Sequence, residues 1–371
     1  MTHQPALQLG MFLMPVHDPD KPLAQCFDED LELVVRCEEL GFSEFWVGEH
    51  HSSSVENIVM PEIFIGKALG MTSRIRIGPA PVCLQYHHPA HVASRLAFLD
   101  HLSHGRLNLC FGPGAIPSDM EVYGVDPKQS GGMVGEAIEA ILGIWSQDPP
   151  IEFHGRFWDF RLSETIDPEM GVGVLHRPLQ QPHPPVMVPC ITRDSVGVQK
   201  AAGRGFLPIS HHMVSTETLQ NHWSTYESGA RRHGRNARIS DWRVSRNVFV
   251  AETTGEARRL AAGNSMGKCI EYILELTRRG PGLEIWKRDP AMSDADCNLD
   301  YFMDEVVIAG DPPRVTQMLR ELKAQVGDFG TLVLTAHDWD DKQSWIRSLE
   351  LLAQEVIPAL NAGPPEPAET N

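Results

Sequence analysis

The chain has 371 residues, 42% of them hydrophobic and 22% charged, with 32 basic against 49 acidic side chains and a formal net charge of −17. That balance excludes nucleic acid and anionic membrane surfaces as partners, since such binding draws on basic patches and no Lys/Arg-rich run is present. Seven scattered cysteines without a CxxC argue against a zinc ribbon or a disulfide framework, and no apolar run approaches the roughly 20 residues that span a bilayer.

Residues 1–15 lack a basic region ahead of an uninterrupted apolar core, so no secretory signal is expected. Free thiols in a reducing cytoplasm follow. Strand-like runs then alternate with helical patterns. A strand over 7–14 precedes a helix with apolar Leu31, Val34, Val35 and Leu40, closed by Gly41 at a C-cap position. Next come a strand at 44–48, a helix at 61–71, a strand at 75–82, a helix at 89–102, a strand at 107–112 and a helix at 132–145. The proline-rich stretch 148–185 breaks the rhythm and reads as an insertion, hairpin-like around IEFHGRFWDFRL. Alternation resumes with a strand at 185–191, a helix at 195–204, a strand at 206–210, a helix at 218–233 and a strand at 244–251. A long helical and irregular region, 255–326, holds a second punctuated excursion near 280–298. The last strand is 331–335 and the last helix 344–360, before a Pro- and acid-rich tail at 363–371.

About eight βα units imply a parallel sheet closed as a (β/α)₈ TIM barrel. No Gly-x-Gly-x-x-Gly follows the first strand, which weighs against a Rossmann opening. Residues 1–362 are expected to form one barrel domain with insertions at about 148–185 and 280–298. In such barrels chemistry sits at the C-terminal ends of strands.

The second strand ends in Glu49-His50-His51, within FWVGEHHSSS. Adjacent residues of an extended chain point to opposite faces, so the two histidines cannot readily chelate one ion, and no metal is expected. A histidine in the barrel mouth beside a carboxylate suits a general base near neutral pH; a turn whose side chains only satisfy backbone groups is the competing reading. The third strand carries Pro79 and Pro81, which mark a bulge or a cis peptide. His87, His88 and His91 follow, and His88-Pro89 reads as a helix start, so these take a structural or gating role. The fourth strand ends with Gly112 and Gly114 flanking Pro113, a pattern that permits close backbone approach. Thr192, Arg193 and Ser195 precede a helix and serve either as a phosphate site or as caps. Ser210-His211-His212 end the sixth strand.

FWVGEHHSSS, the block YHHPAHVASRLAFLDHLSHGRLNLCFGPGAIPSD and the closing TAHDWDDKQSWIRSLELLAQEVIPAL together resemble the bacterial luciferase-like flavin-dependent monooxygenases. FGPGAIPSD and ENIVMPE are similar to the limonene and diketocamphane monooxygenase branch. The resemblance runs from Leu7 to about Leu360. It implies the same luciferase-like barrel and an FMN-using, two-component enzyme, in which a separate flavin reductase supplies reduced FMN and O₂ adds at C4a to give a peroxyflavin. The implied substrate is a small apolar molecule, oxygenated by epoxidation, hydroxylation or Baeyer–Villiger oxidation. It also implies that His50 is the active-site proton-transfer group, supported by His51 and Glu49, and that Pro79, Ala80 and Pro81 lie against the flavin ring, with Ala80-Pro81 able to be cis. Gly112, Pro113 and Gly114 match a flavin-contacting loop where many relatives have an arginine. Pro113 removes that cation and shifts phosphate binding to Thr192, Arg193 and Ser195. Ser210 and His211 match a further flavin-contacting pair. The two insertions are the implied lids, and a homodimer is implied through helices beside the second and third strands. An F420-dependent oxidoreductase of the same fold and a non-catalytic flavin-binding protein are the rival readings.

Overall fold

The computed structural model describes residues 6–14 and 16–362; the tail expected at 363–371 lies outside the described residues. In chain order the elements are β1 (Gln8–Leu13), α1 (Leu23–Glu39), β2 (Glu44–Val47), α2 (Pro61–Leu69), β3 (Arg76–Pro79), β4 (Val82–Cys83), α3 (Pro89–Leu102), β5 (Leu109–Gly112), α4 (Pro117–Val122), α5 (Pro127–Ser146), β6 (Ile151–His154), β7 (Asp159–Leu162) and β8 (Val186–Cys190). They continue as α6 (Val196–Arg204), β9 (Leu207–Ser210), α7 (Thr216–Arg232), β10 (Arg243–Arg246), β11 (Val248–Val250), α8 (Thr254–Gly263), α9 (Ser265–Arg279), α10 (Leu299–Glu305), β12 (Ile308–Gly310), α11 (Pro312–Val326), β13 (Thr331–Ala336), α12 (Lys342–Leu351) and α13 (Ile357–Asn361).

The helices start where local chemistry dictates. Pro61, Pro89, Pro117, Pro127 and Pro312 occupy first positions, where a missing N–H costs nothing. Asp126, Ser195, Ser215, Thr253, Asn264, Asn298, Asp311 and Asp341 cap helices through side-chain oxygens. Gly41 closes α1 as expected, with φ +81° and the Phe42 amide on the Cys37 carbonyl. Pro358 follows a π-helical turn, Leu352–Val356, where its ring and missing N–H disturb the ladder of the expected final helix.

The main sheet runs β3-β2-β1-β13-β10-β9-β8-β5-β4. Its two ends, β3 and β4, are halves of one expected strand interrupted at Ala80-Pro81, so the nine pieces amount to eight barrel strands and the barrel is nearly closed. Parallel register carries β2 onto β3 (Trp46 opposite Gly78) and β4 onto β5 (Cys83 opposite Gly112). The expected strand at 244–251 is two: β10 pairs with β9 and β13, and after Asn247 the chain turns to pair β11 with β12.

The described residues group into two compact units. The N-half unit comprises Phe12–Val35 and Glu44–Pro189; the C-half unit comprises the chain through Met11, Arg36–Ser43 and everything from Cys190. The N-half core holds Phe45, Trp46, Ile65, Ile77 and Leu84, all fully enclosed. Its insertion carries the expected hairpin, β6 antiparallel to β7, and is pinned by the amides of Arg156, Phe157 and Trp158 on the Glu136 carboxylate. The C-half core is built on Trp242, Phe249, Phe302 and Phe329. Its excursion near 280–298 is also anchored: Trp286 Nε1 donates to Thr277 Oγ1 at 3.1 Å, and Lys287 pairs with Asp294 at 2.6 Å. Among the described residues no helix is long and apolar enough to cross a membrane.

Candidate active site

The loop after β2 turns at Gly48 and delivers three side chains into the N-half unit. His50 and His51 go to different partners, as strand alternation predicts. The His50 ring lies between two carboxylates, Nδ1 at 3.3 Å from Asp119 Oδ2 and Nε2 at 2.9 Å from Glu56 Oε2. Asp119 sits in the first turn of α4, where its other oxygen accepts the His51 amide at 3.1 Å and the Ser52 hydroxyl. Burial disfavours a charged imidazole, but the bonds to Asp119 and Glu56 prevail and raise His50 to about 9. At neutral pH the ring is therefore an imidazolium and a proton donor, where the sequence suggests a base near neutrality.

Glu49 does not support His50. Its Oε1 lies 2.8 Å from both His51 Nε2 and His87 Nε2, and its Oε2 accepts the Cys83 amide at 3.0 Å. Burial pushes this carboxyl up, yet the hydrogen bonds from His51 and His87 win and carry it to about 2. An ionised carboxylate only accepts, so both Nε2 atoms carry protons. His51 Nδ1 lies 2.9 Å from the Tyr123 hydroxyl, a second contact that orients the ring. Glu49, His51 and His87 each place one ligand atom within 4.8 Å of the others, a spacing a cation would accept; His50 and His51 do not form such a pair. The two imidazole N–H groups already satisfy the carboxylate. His88 caps α3, its Nδ1 accepting the Ala90 amide, and His91 contacts Arg95, in keeping with structural roles.

The other N-half residues singled out from the sequence lie at the β3–β4 junction and at the end of β5. Ala80-Pro81 is a cis peptide between β3 and β4. Gly114 has φ +65°, and an added Cβ would lie 2.8 Å from Cys83 Sγ, beside the residue whose amide holds Glu49. Gly112 packs so closely that its Cβ would meet Pro81 at 3.0 Å and Pro189 at 3.1 Å. Gln85 donates its side-chain amide to the Pro113 carbonyl.

The remaining residues fall in the C-half unit. Ser195 caps α6, its Oγ accepting the Val198 amide, and Asp194 beside it holds φ +53° with its amide on Asn221. Thr192 and Arg193 are exposed. Arg193 is partly used by the fold: Nε donates to Thr218 Oγ1 at 2.9 Å and Nη2 to the Arg288 carbonyl at 3.1 Å. Ser210 is fully buried, its hydroxyl taken by Trp242 Nε1 at 2.9 Å and His222 Nδ1 at 3.1 Å, so the fold claims this side chain. His211 stacks between His212 (4.3 Å) and Trp286 (4.9 Å), and burial lowers it to about 3.

Asp119 and Glu56 are the residues that sequence reasoning missed. Asp119 closes the FGPGAIPSD block and Glu56 opens ENIVMPE, so both lay in the quoted motifs, without a local signal tying them to His50.

A family profile described as luciferase-like monooxygenase matches residues 7–328. The chain is 30% identical to 3,6-diketocamphane 1,6-monooxygenase of Pseudomonas putida, over 96% of this chain and 98% of that one. It is 31% identical to limonene 1,2-monooxygenase of Rhodococcus erythropolis, over 96% and 87%. Among solved structures, the oxygenating constituent of 3,6-diketocamphane monooxygenase from Pseudomonas putida, a type II Baeyer–Villiger monooxygenase in complex with FMN, matches with TM-score 0.86 at 30% identity, covering 95% of this chain and 98% of that one. A profile spanning most of the chain, relatives aligned nearly end to end and the shared barrel agree: the chain belongs to the luciferase-like monooxygenase family.

Proposed function

We propose that the protein is the oxygenase of a two-component, FMN-dependent monooxygenase that receives reduced FMN from a separate flavin reductase. Its substrate is a small apolar molecule, terpene-like or a cyclic ketone, oxygenated by epoxidation, hydroxylation or Baeyer–Villiger chemistry. The single observation that carries this reading is the His50 imidazolium clamped between Asp119 and Glu56, in a chain whose relatives are limonene and diketocamphane monooxygenases.

The residues present suit a flavin. Pro79, Ala80, Pro81, Gly112 and Gly114 offer backbone and small apolar surface, with no competing charge, to a flat ring. Thr192 and Ser195 bring hydroxyl protons to the first turn of α6, where unpaired amides favour an oxyanion, and Arg193 retains Nη1 for the same task. When bound, reduced FMN would supply the O₂ chemistry. The chain's own residues bind, orient and move protons. His50 holds a proton against carboxylates and can release it to a developing anion, while Asp119 and Glu56 fix the ring and favour its reprotonation from solvent. His51, His87 and Glu49 form a hydrogen-bonded support under the same loop. The anchored insertions at 148–185 and 280–298 are the covers that would exclude water.

Neither compact unit is a continuous stretch of chain, which supports reading residues 1–362 as one domain. Exposed Ile63 on α2 (72%) with Phe98 (64%) and Leu102 on α3 support a homodimer through these helices. Sedimentation is expected to give a dimer that Phe98→Asp dissociates; a monomeric parent protein would overturn it. The cytoplasm is the proposed compartment.

Anaerobic titration with photoreduced FMN is expected to show saturable binding. His50→Gln should keep that affinity and lose about 10²-fold or more of product formation. No binding of reduced FMN sinks the flavin reading, and unchanged turnover removes His50 from the chemistry. Tighter binding of reduced F420 in the same titration would favour hydride transfer instead.

A further inference from the structure

The C-half unit contains a cavity of about 360 Å³ lined by the first turn of α7 and by Arg246, Arg288 and Arg314. Arg246 ends β10 and is only 2% exposed. Its Nη1 donates to the Ser245 carbonyl at 3.1 Å, while Nη2 is buried without a hydrogen-bond partner. Among the described residues no carboxylate pairs with it. Within the lining, Glu305 pairs with Arg288 at 2.8 Å and Glu321 with Arg314 at 3.9 Å, so these two arginines are already matched; Asp304 pairs with Arg258 at 2.5 Å, and Glu217 is exposed. Burial lowers Arg246 to about 10, which still leaves a full cation at neutral pH. A buried charge without a counterion is unfavourable, so the fold keeps this guanidinium at a cost that a bound anion would offset.

The second half of the site is the start of α7, a 17-residue helix. Ser215 caps it by accepting the Thr218 amide, but the amides of Thr216 and Glu217 are first-turn groups that the helix itself cannot satisfy. They and the guanidinium border the same cavity, and both are donors that an oxyanion accepts from. We propose that Arg246 and the N-terminus of α7 form an oxyanion-binding site for a phosphate or carboxylate group. The exposed Glu217, in that first turn, opposes the incoming charge and limits affinity. Two sources share this chemistry: the phosphate of a flavin nucleotide, which would then replace the placement at Thr192, Arg193 and Ser195, or a free small anion.

The test uses the intact protein, with inorganic phosphate as probe and the thermal unfolding midpoint as readout at constant ionic strength. Phosphate is expected to raise the midpoint saturably, Arg246→Met to abolish the dependence, and Arg246→Lys to weaken it. Glu217→Gln, at an exposed position that does not threaten folding, should tighten binding roughly 2- to 5-fold by removing a like charge beside the incoming anion. FMN and riboflavin then separate the sources. If Arg246→Met reduces FMN affinity to that of riboflavin and phosphate competes with FMN, the flavin supplies the anion; if FMN binding is unchanged while the phosphate response is lost, the ligand is a free anion. A parent protein whose stability ignores phosphate, or variants of Arg246 and Glu217 that respond like the parent, would overturn the site.

Discussion

Each compact unit carries an adjacent histidine pair, His50-His51 in one and His211-His212 in the other, and the two pairs live in opposite electrostatic surroundings. Around the first, Glu49, Glu56 and Asp119 approach within hydrogen-bonding distance, and His50 is raised to about 9. Around the second no carboxylate approaches among the described residues. Burial lowers His211 and His337 to about 3, His222 to about 4, and His212 well below its usual range. The dipeptide does not set the chemistry; the carboxylates that the fold brings to it do.

The largest test of that contrast is Asp119→Ala, which removes a partner from the His50 ring, the His51 amide and the Ser52 hydroxyl together. Turnover should fall by about 10²-fold or more, and the His50 resonance should titrate well below 9 in an NMR pH series. An unchanged titration would show that Asp119 does not hold the proton. Next in size is stability. Glu49→Leu leaves two imidazole N–H groups and the Cys83 amide without an acceptor and should cost about 3 kcal/mol or more in urea unfolding. His212→Leu, in the charge-free pair, should cost less than about 1.5 kcal/mol. Equal losses would erase the distinction.

The subtlest test uses pH. His50 has a folded value near 9 against an unfolded 6.5, so its contribution, on the order of 3 kcal/mol, is full below pH 6.5 and disappears as pH rises through 9. His211 and His337 run the other way. The unfolded chain takes up protons below pH 6.5 while the folded sites resist them, so stability falls from pH 6.5 toward 3. Hydrogen exchange corrected for intrinsic rates should therefore show β9 and β10 loosening first at pH 5, and the loop after β2 loosening first at pH 9.5. The reverse order would overturn the assignment.

The barrel rhythm was legible because prolines and capping side chains punctuate nearly every helix, as at Pro89 and Ser195. Short elements escaped. The six residues of α4 complete less than two turns, too few for a periodicity, yet they deliver Asp119. The split between β10 and β11 falls at Asn247, which is buried and bonds to His337 at 3.1 Å, a tertiary contact that the run 244–251 does not announce. At the site, His50 could be read from its motif, but its partners could not. Asp119 lies 69 positions away, and local sequence carries no record of such tertiary contacts. Glu49 was assigned to the wrong histidine for the same reason, since its second imidazole, His87, arrives from beyond β4. Ser210, implied as a flavin contact by the resemblance, has its hydroxyl held by Trp242 and His222, partners that local sequence does not announce.

All seven cysteines are free and buried. Burial pushes the thiols of Cys37 and Cys83 far up, Cys190 to about 12 and Cys297 to about 11. The thiolate is the form that attacks hydrogen peroxide, taking one oxygen and expelling hydroxide. An oxygenase that uncouples between turnovers releases that oxidant beside its own polypeptide, and here the sulfur most prone to irreversible damage is withheld from it. Oxidative ageing of this catalyst should therefore register first on exposed thioethers such as Met170, which is 77% exposed, as sulfoxides that a reductase can repair.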